Sequence, residues 1–233
     1  MFWGIMCLTE EDNMCIWKNK RKTYSSAIKF LNSQNIAQIR EKVKILFVDD
    51  EEFEIVEQLK DRMYKIYYKS DIWYTIEAEP FDVIIMDIRG VAKRTRSSME
   101  GFSIAAEIKK AYPEKQVYCY SGTVIMNEIA EKLNNIDGYI LKDTDIDKWT
   151  EKLDTIICDY TDSDKRWEII RERLVQNKVS DIDIETIHRD YKRIYKDGYV
   201  EPFMTSIFEH VKQTEIALNL INSVLTLISK III

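Results

Sequence analysis

The chain has 233 residues, enough for one good-sized domain or two small ones, and its apolar fraction of 45% is sufficient to bury a core. A formal net charge of −6 argues against non-specific nucleic-acid binding, which needs basic surface to displace counterions. Cys7, Cys15, Cys119 and Cys158 never form a Cys-x-x-Cys pair, which excludes zinc spacing and a small-domain disulfide framework and fits reduced thiols in a cytoplasmic protein.

Residues 1–43 read as an N-terminal extension. The opening MFWGIMCLTEED is apolar but carries no basic n-region, so neither a signal peptide nor a membrane span is expected there. A basic cluster of Lys18, Lys20, Arg21 and Lys22 precedes an amphipathic helix. That helix is expected to start near Ser25 and to use Ile28, Leu31, Ile36 and Ile39.

From Lys44 to Tyr160 short apolar runs alternate with helix-period segments. Lys44–Val48 is a continuous run of β-formers, as a buried parallel strand requires. A helix follows with Phe53, Val56 and Leu59 on one side, then a strand over Tyr64–Tyr68 and a short helix over Ile72–Glu79. Phe81–Met86 is a third strand ending at Asp87, followed by a helix over Gly101–Ala111. Gln116–Tyr120, between Pro113 and Gly122, is the fourth strand, Ile125–Leu133 a helix, and Gly138–Leu141 the fifth strand. Ile146, Trp149, Leu153 and Ile156 or Ile157 then recur at helical spacing. Five such alternations predict an α/β, doubly wound, five-stranded parallel sheet covered on both faces.

In such a sheet, functional side chains gather beyond the carboxyl ends of the strands. Asp49 and Asp50 close the first strand, Asp87 the third, Ser121 the fourth and Lys142 the fifth. Three carboxylates on one edge repel unless a cation sits among them, and hard oxygen donors with room for water suit Mg²⁺. These are the parts of a phosphoryl-transfer centre. Lys142 and a metal would neutralise charge, Ser121 would donate a hydrogen bond, and one carboxylate would attack.

On these residues, Lys44 to Tyr160 resembles the CheY-like receiver domains of response regulators in bacterial two-component systems. The resemblance implies a flavodoxin-like fold and a phosphorelay in which a histidine kinase donates the phosphoryl group. It implies Asp87 as phosphoacceptor, with Ser121 and Lys142 assisting and Tyr139 as the rotating switch aromatic. It also implies a Mg²⁺ ligand set of Asp49, Asp50, Asp87 and the backbone carbonyl of Arg89. The sequence departs from the family pattern twice. The loop from Ile88 to Glu100 is long and carries Lys93, Arg94 and Arg96, and Asp143 stands where the family has proline after the lysine.

Residues 161–233 read as an all-helical output or dimerisation region. One helix is expected over Asp162–Asn177 with Trp167, Ile170 and Leu174 on a stripe. Ser180 caps a second bearing Ile184, Ile187, Tyr191 and Ile194, which ends near Gly198. Pro202 opens a third, expected to run unbroken towards Ile233. In that helix Asn219, Asn222, Ser223, Thr226, Ser229 and Lys230 form a polar stripe, which argues for packing in a bundle or dimer rather than in a membrane. His188 is read as a helix-surface histidine in preference to a phosphorelay site. The expectation is therefore a non-enzymatic response regulator that binds a protein partner or itself through these helices. The alternatives are a DNA-binding regulator with an unfamiliar C-terminal fold and a non-phosphorylated pseudo-receiver scaffold.

Overall fold

The computed structural model describes residues 36–51, 53–92, 100–122, 133–142 and 144–231. The start of the expected N-terminal helix, the basic cluster around Lys20, Cys7 and Cys15 lie outside the described residues. So do Lys93, Arg94 and Arg96, most of the expected helix over Ile125–Leu133, and Asp143. The chain from Ala37 onward clusters into one compact unit.

Five parallel strands form one sheet: β1 (Lys44–Val48), β2 (Lys65–Lys69), β3 (Val83–Asp87), β4 (Gln116–Ser121) and β5 (Gly138–Leu141). Their order is β2-β1-β3-β4-β5, the flavodoxin-like doubly wound order, with β3 at the centre. Successive side chains of a strand point to opposite faces, and here both faces are covered. Leu46, Val48, Ile84, Met86, Val117 and Cys119 share one core cluster with Phe102, Ala105 and Ile108 of α3 (Glu100–Ala111). The alternate positions Ile45, Phe47, Ile85, Tyr118 and Tyr120 are buried too. Phe47 and Tyr120 pack their rings against Trp149 of α4 (Ile146–Thr161), at centroid distances of 5.9 and 6.0 Å.

The helix α1 (residues 36–42) and α2 (Ile55–Asp61) complete this layer. Arg40 donates to Asp154 of α4 from Nε at 2.8 Å, and Tyr64 donates to the same carboxylate at 2.7 Å. The last part of the stretch read as an extension is thus anchored to the sheet's helical cover. The short helix expected over Ile72–Glu79 is a single 3₁₀ turn, Thr75–Ala78. The carboxylate of Glu77 caps the amides of Trp73 and Tyr74 at 2.8 and 3.0 Å, and Pro80 brings no N–H to continue the helix.

Beyond α4 the chain is helical. Asp162 caps α5 (Ser163–Gln176) by accepting from the amides of Asp164 and Lys165, and Ser180 caps α6 (Asp181–Asp197) by accepting from Asp183 N. The expected single long helix is two, α7 (Glu201–His210) and α8 (Thr214–Ile231). Val211 is extended at the break and buried. One continuous helix from Glu201 to Ile231 would be about 46 Å long, which would carry half of its apolar stripe past the core. Folding back puts Ala217, Leu220, Ile221 and Val224 in the same cluster as Phe203, Ile207, Ile187 and Tyr191.

The polar stripe of α8 faces the other way. Lys230 donates to the carbonyl of Lys42 at 2.8 Å and pairs with Asp82 at 2.9 Å. Asp82 also accepts from Lys44 N at 2.7 Å and from Tyr160 Oη at 2.7 Å, so this buried carboxylate is fully engaged at the amino edge of the sheet. Among the described residues, α8 is the one helix whose length and mean hydropathy of 1.2 would let it cross a membrane. Ala217, Leu220, Ile221 and Val224 of its apolar side pack in the bundle, while Leu218 and Leu225 are exposed. His188 stacks on Trp167 at 4.2 Å with the rings 6° from parallel, a packing role.

Phe203 is fully buried and meets Tyr191 edge-on at 5.7 Å. Phe203→Ala is expected to cost about 3–5 kcal/mol, read as a lower midpoint in urea with an unchanged slope. A loss below about 1 kcal/mol would show that α7 does not contribute to the cooperative core.

Candidate functional site

The periodicity of the strands explains how the charged groups meet. Asp49 lies two residues past Phe47, Asp87 two past Ile85, and Lys142 two past Ile140, so all three continue the face that Tyr120 also occupies. In the registered sheet Asp87 is opposite Tyr120, and Ser121 is opposite Leu141. The carboxyl ends of β1, β3, β4 and β5 therefore deliver their side chains to one edge.

The Nζ of Lys142 sits between two carboxylates, 2.8 Å from Asp49 Oδ2 and 2.7 Å from Asp87 Oδ2. To reach them it crosses β4 and lies over the ring of Tyr120, 4.9 Å from its centroid. Tyr120 Oη in turn donates to Asp49 Oδ2 at 2.6 Å in a buried bond. Asp49 also accepts from the amide of Glu51 at 3.1 Å, and Asp87 Oδ1 faces the amide of Arg89 at 3.4 Å. Phe53 and Trp149 close the aromatic floor, with Phe53 at 5.5 Å from Tyr120.

Asp49 and Asp87 are buried, whereas Asp50 is exposed at the rim. One carboxylate oxygen from each of Asp49, Asp50 and Asp87 lies within 4.8 Å of the others. A set of three carboxylates, with a single lysine to balance two of them, fits a hard divalent cation such as Mg²⁺. Backbone also makes room here. Gly90 has φ +82°, and a Cβ on it would fall 2.0 Å from Asp50 Oδ1. A Cβ on Gly101 would fall 1.8 Å from the carbonyl oxygen of Asp87, so glycine is what lets α3 start against the end of β3.

Burial raises the pKa of Asp87, and the attraction of Lys142 only partly offsets it, while the charge of Asp49 adds to the rise. Burial alone would lower the pKa of Lys142, but its contacts with Asp49 and Asp87 outweigh that and raise it. The ammonium is therefore held charged, and the ionised form of Asp87 is the one the folded site disfavours.

Of the residues singled out from the sequence, Arg89 brings its amide to Asp87 Oδ1, and the other six reach this edge in two groups. Asp49, Asp50, Asp87 and Lys142 form the charged cluster. Ser121 is buried at the end of β4, where its carbonyl accepts from the amide of Lys142 at 2.9 Å and from Tyr139 Oη at 3.4 Å. Tyr139 is half-buried against the α3-side core, so it lies on the opposite phase of the sheet from Lys142. Tyr120 was not anticipated. Its position two residues past Tyr118 on a buried strand carries the signal that it points towards Asp49, but its hydroxyl partner lies 71 residues away in sequence.

No family model matches the chain, and no curated protein matches it in sequence. Solved structures of receiver domains resemble its middle part. The signal receiver domain of an HD domain-containing protein from Pseudomonas fluorescens Pf-5 is 20% identical, with 52% of this chain and 90% of that one covered and a TM-score of 0.40. A CheY-like response regulator receiver domain protein from Methanospirillum hungatei JF-1 is also 20% identical, with 51% and 95% covered and a TM-score of 0.40. NtrX from Brucella abortus, solved with ATP, is 18% identical over 66% of this chain and 34% of its own, with a TM-score of 0.43. The strand order and register of Lys44–Leu141 give a flavodoxin-like, doubly wound parallel sheet independently of these likenesses.

Two outcomes test the site's physics. Tyr120→Phe removes a hydrogen bond to a buried carboxylate and is expected to destabilise by about 1.5–3 kcal/mol in urea denaturation; an unchanged midpoint would remove Tyr120 from the site. For Asp87 the raised pKa means that the folded state binds its proton more tightly than the unfolded chain does. Stability therefore falls as pH rises from the ordinary carboxylate range through the folded value. In chelator, Asp87→Asn is expected to melt at or above the wild-type temperature at pH 7 and to lose this decline. A clearly lower melting temperature would mean that the pairing with Lys142 outweighs burial.

Proposed function

We propose that the chain is a response regulator whose receiver accepts a phosphoryl group on Asp87 and signals through its C-terminal helices. The observation that carries this reading is the ammonium of Lys142 set between the buried carboxylates of Asp49 and Asp87, with Asp50 at the rim. That arrangement places positive charge where a phosphoryl group on Asp87 would bring negative charge, which is the largest single contribution a protein makes to such a transfer.

The residues take the following parts. Asp87 Oδ2 is engaged by Lys142, so Oδ1, beside the Arg89 amide, attacks phosphorus in line. With a phosphohistidine donor on a histidine kinase, the new O–P bond forms as the N–P bond breaks, and the imidazole leaves. Lys142 follows the developing charge on the phosphoryl oxygens, and Ser121 donates to one of them. Asp49, Asp50, Asp87 and the carbonyl of Arg89 would hold Mg²⁺, which would supply further neutralisation of the phosphoryl charge when bound. Tyr120 positions Asp49 through its hydroxyl, and Tyr139 reports the change at Ser121 to the sheet edge. The chain acts as a cytoplasmic switch rather than as an enzyme, and the helices from Ser163 onward bind a protein partner or a second copy.

Incubation with acetyl phosphate and Mg²⁺ is expected to add the mass of one phosphoryl group to the wild type and none to Asp87→Asn. Lys142→Met is expected to slow the reaction on the order of a hundredfold or more. No adduct on the wild type, or an equal adduct on Asp87→Asn, overturns the proposal.

A further inference from the structure

At the opposite pole from Asp87, a cavity of about 400 Å³ lies between the amino edge of the sheet and the helices α5 and α8. Asp82, Lys115 and Arg166 line its buried part, and Asn219, Asn222 and Thr226 its open mouth. The polar stripe of α8 is thus the wall of a chamber, a role that bundle packing alone does not require.

Most of the charged groups in this chamber have partners. Lys230 is paired with Asp82, and Tyr160 donates to the same carboxylate. Lys115 donates to the carbonyls of Glu79 and Phe81. Arg166 differs. It is 2% exposed, its guanidinium lies over the ring of Tyr160 at 5.1 Å, and its Nε and Nη1 have no hydrogen-bond partner among the described residues. Glu114 Oε2 is likewise buried without a hydrogen bond, its cation Arg173 standing off at 3.9 Å. A buried charge without partners is costly to keep, and such donors and acceptors are ordinarily met by something.

The wall carries five cationic side chains against three carboxylates, an excess of two positive charges. The volume is in the range of small-molecule sites. We propose that this cavity binds a small phosphate monoester, a sugar phosphate or a nucleoside monophosphate. Its dianionic head meets Arg166, and its hydroxyl or amine donors meet Glu114 and the amides of Asn219 and Asn222. A phosphate head matches both the guanidinium and the charge excess, and the organic part supplies the donors that Glu114 requires. The ligand bridges the receiver to α8 and so acts as a second input to the same chain, independent of phosphorylation.

Calorimetric titration of the full chain carrying Asp87→Asn, in chelator, tests this with three probes: orthophosphate, a hexose 6-phosphate and a nucleoside 5′-monophosphate. Saturable binding of at least one ester, weakened tenfold or more both by Arg166→Gln and by Ser223→Leu, is the expected result. Ser223→Leu narrows the chamber from α8 and leaves the Arg166 side chain in the sequence, so it decides the matter even where Arg166→Gln fails to fold. No saturable binding of either ester overturns the proposal, as does equal affinity in Ser223→Leu. Orthophosphate binding as tightly as the esters overturns the assignment of an organic ligand.

Discussion

Everything at the carboxyl edge of the sheet depends on one ammonium group placed between two buried carboxylates. Asp49 and Asp87 come from adjacent strands and converge because each continues the same alternating phase. Lys142 comes from β5, and β4 lies between it and them. An ammonium crossing a strand would normally meet apolar side chains and lose its hydration for nothing. Here it crosses the face of Tyr120, whose π electrons attract it, while the hydroxyl of the same ring holds Asp49. One aromatic residue thus supports both partners of the central ion pair. Phe47, Phe53 and Trp149 pack around it and fix its plane.

The same reasoning explains why the site is not self-sufficient. A single lysine cannot balance three carboxylates, and burial keeps Asp87 reluctant to ionise despite its contact with Lys142. A site optimised for stability would drop one carboxylate. Retaining all three leaves a negative imbalance that favours the binding of a cation.

How much of this was legible in the sequence follows from the range over which each signal acts. Strand identity and phase are local properties, so Asp49, Asp87 and Lys142 could be placed on one edge from alternation alone. Ser180 was recognisable as a cap because a cap acts within three residues. Partners joined across long stretches of chain left no trace. The hydroxyl of Tyr120 on Asp49, the three donors converging on Asp82 and the buried guanidinium of Arg166 all depend on which elements face each other. The break at residues 211–213 was missed for the same reason. No glycine or proline marks it, and only the need to lay α8 back on Phe203 and Ile207 requires it.

The two ends of the sheet obey one rule with opposite sign. A parallel sheet separates its strand ends into two edges, and each edge collects polar side chains that the apolar faces cannot hold. At the carboxyl edge the collected charges leave a surplus of carboxylate, met in part by Lys142. At the amino edge Asp82 is saturated by Lys230, Tyr160 and the amide of Lys44, and the surplus is cationic, with the Nε and Nη1 of Arg166 lacking hydrogen-bond partners among the described residues. Buried surplus charge is tolerated in a folded chain when a counter-charge arrives from outside. A cation at one pole and an anion at the other would therefore each stabilise the fold by binding it. Because α4 caps the first edge through Trp149 and leads directly through Asp162 into α5, which carries Arg166, the two poles are joined by two consecutive helices.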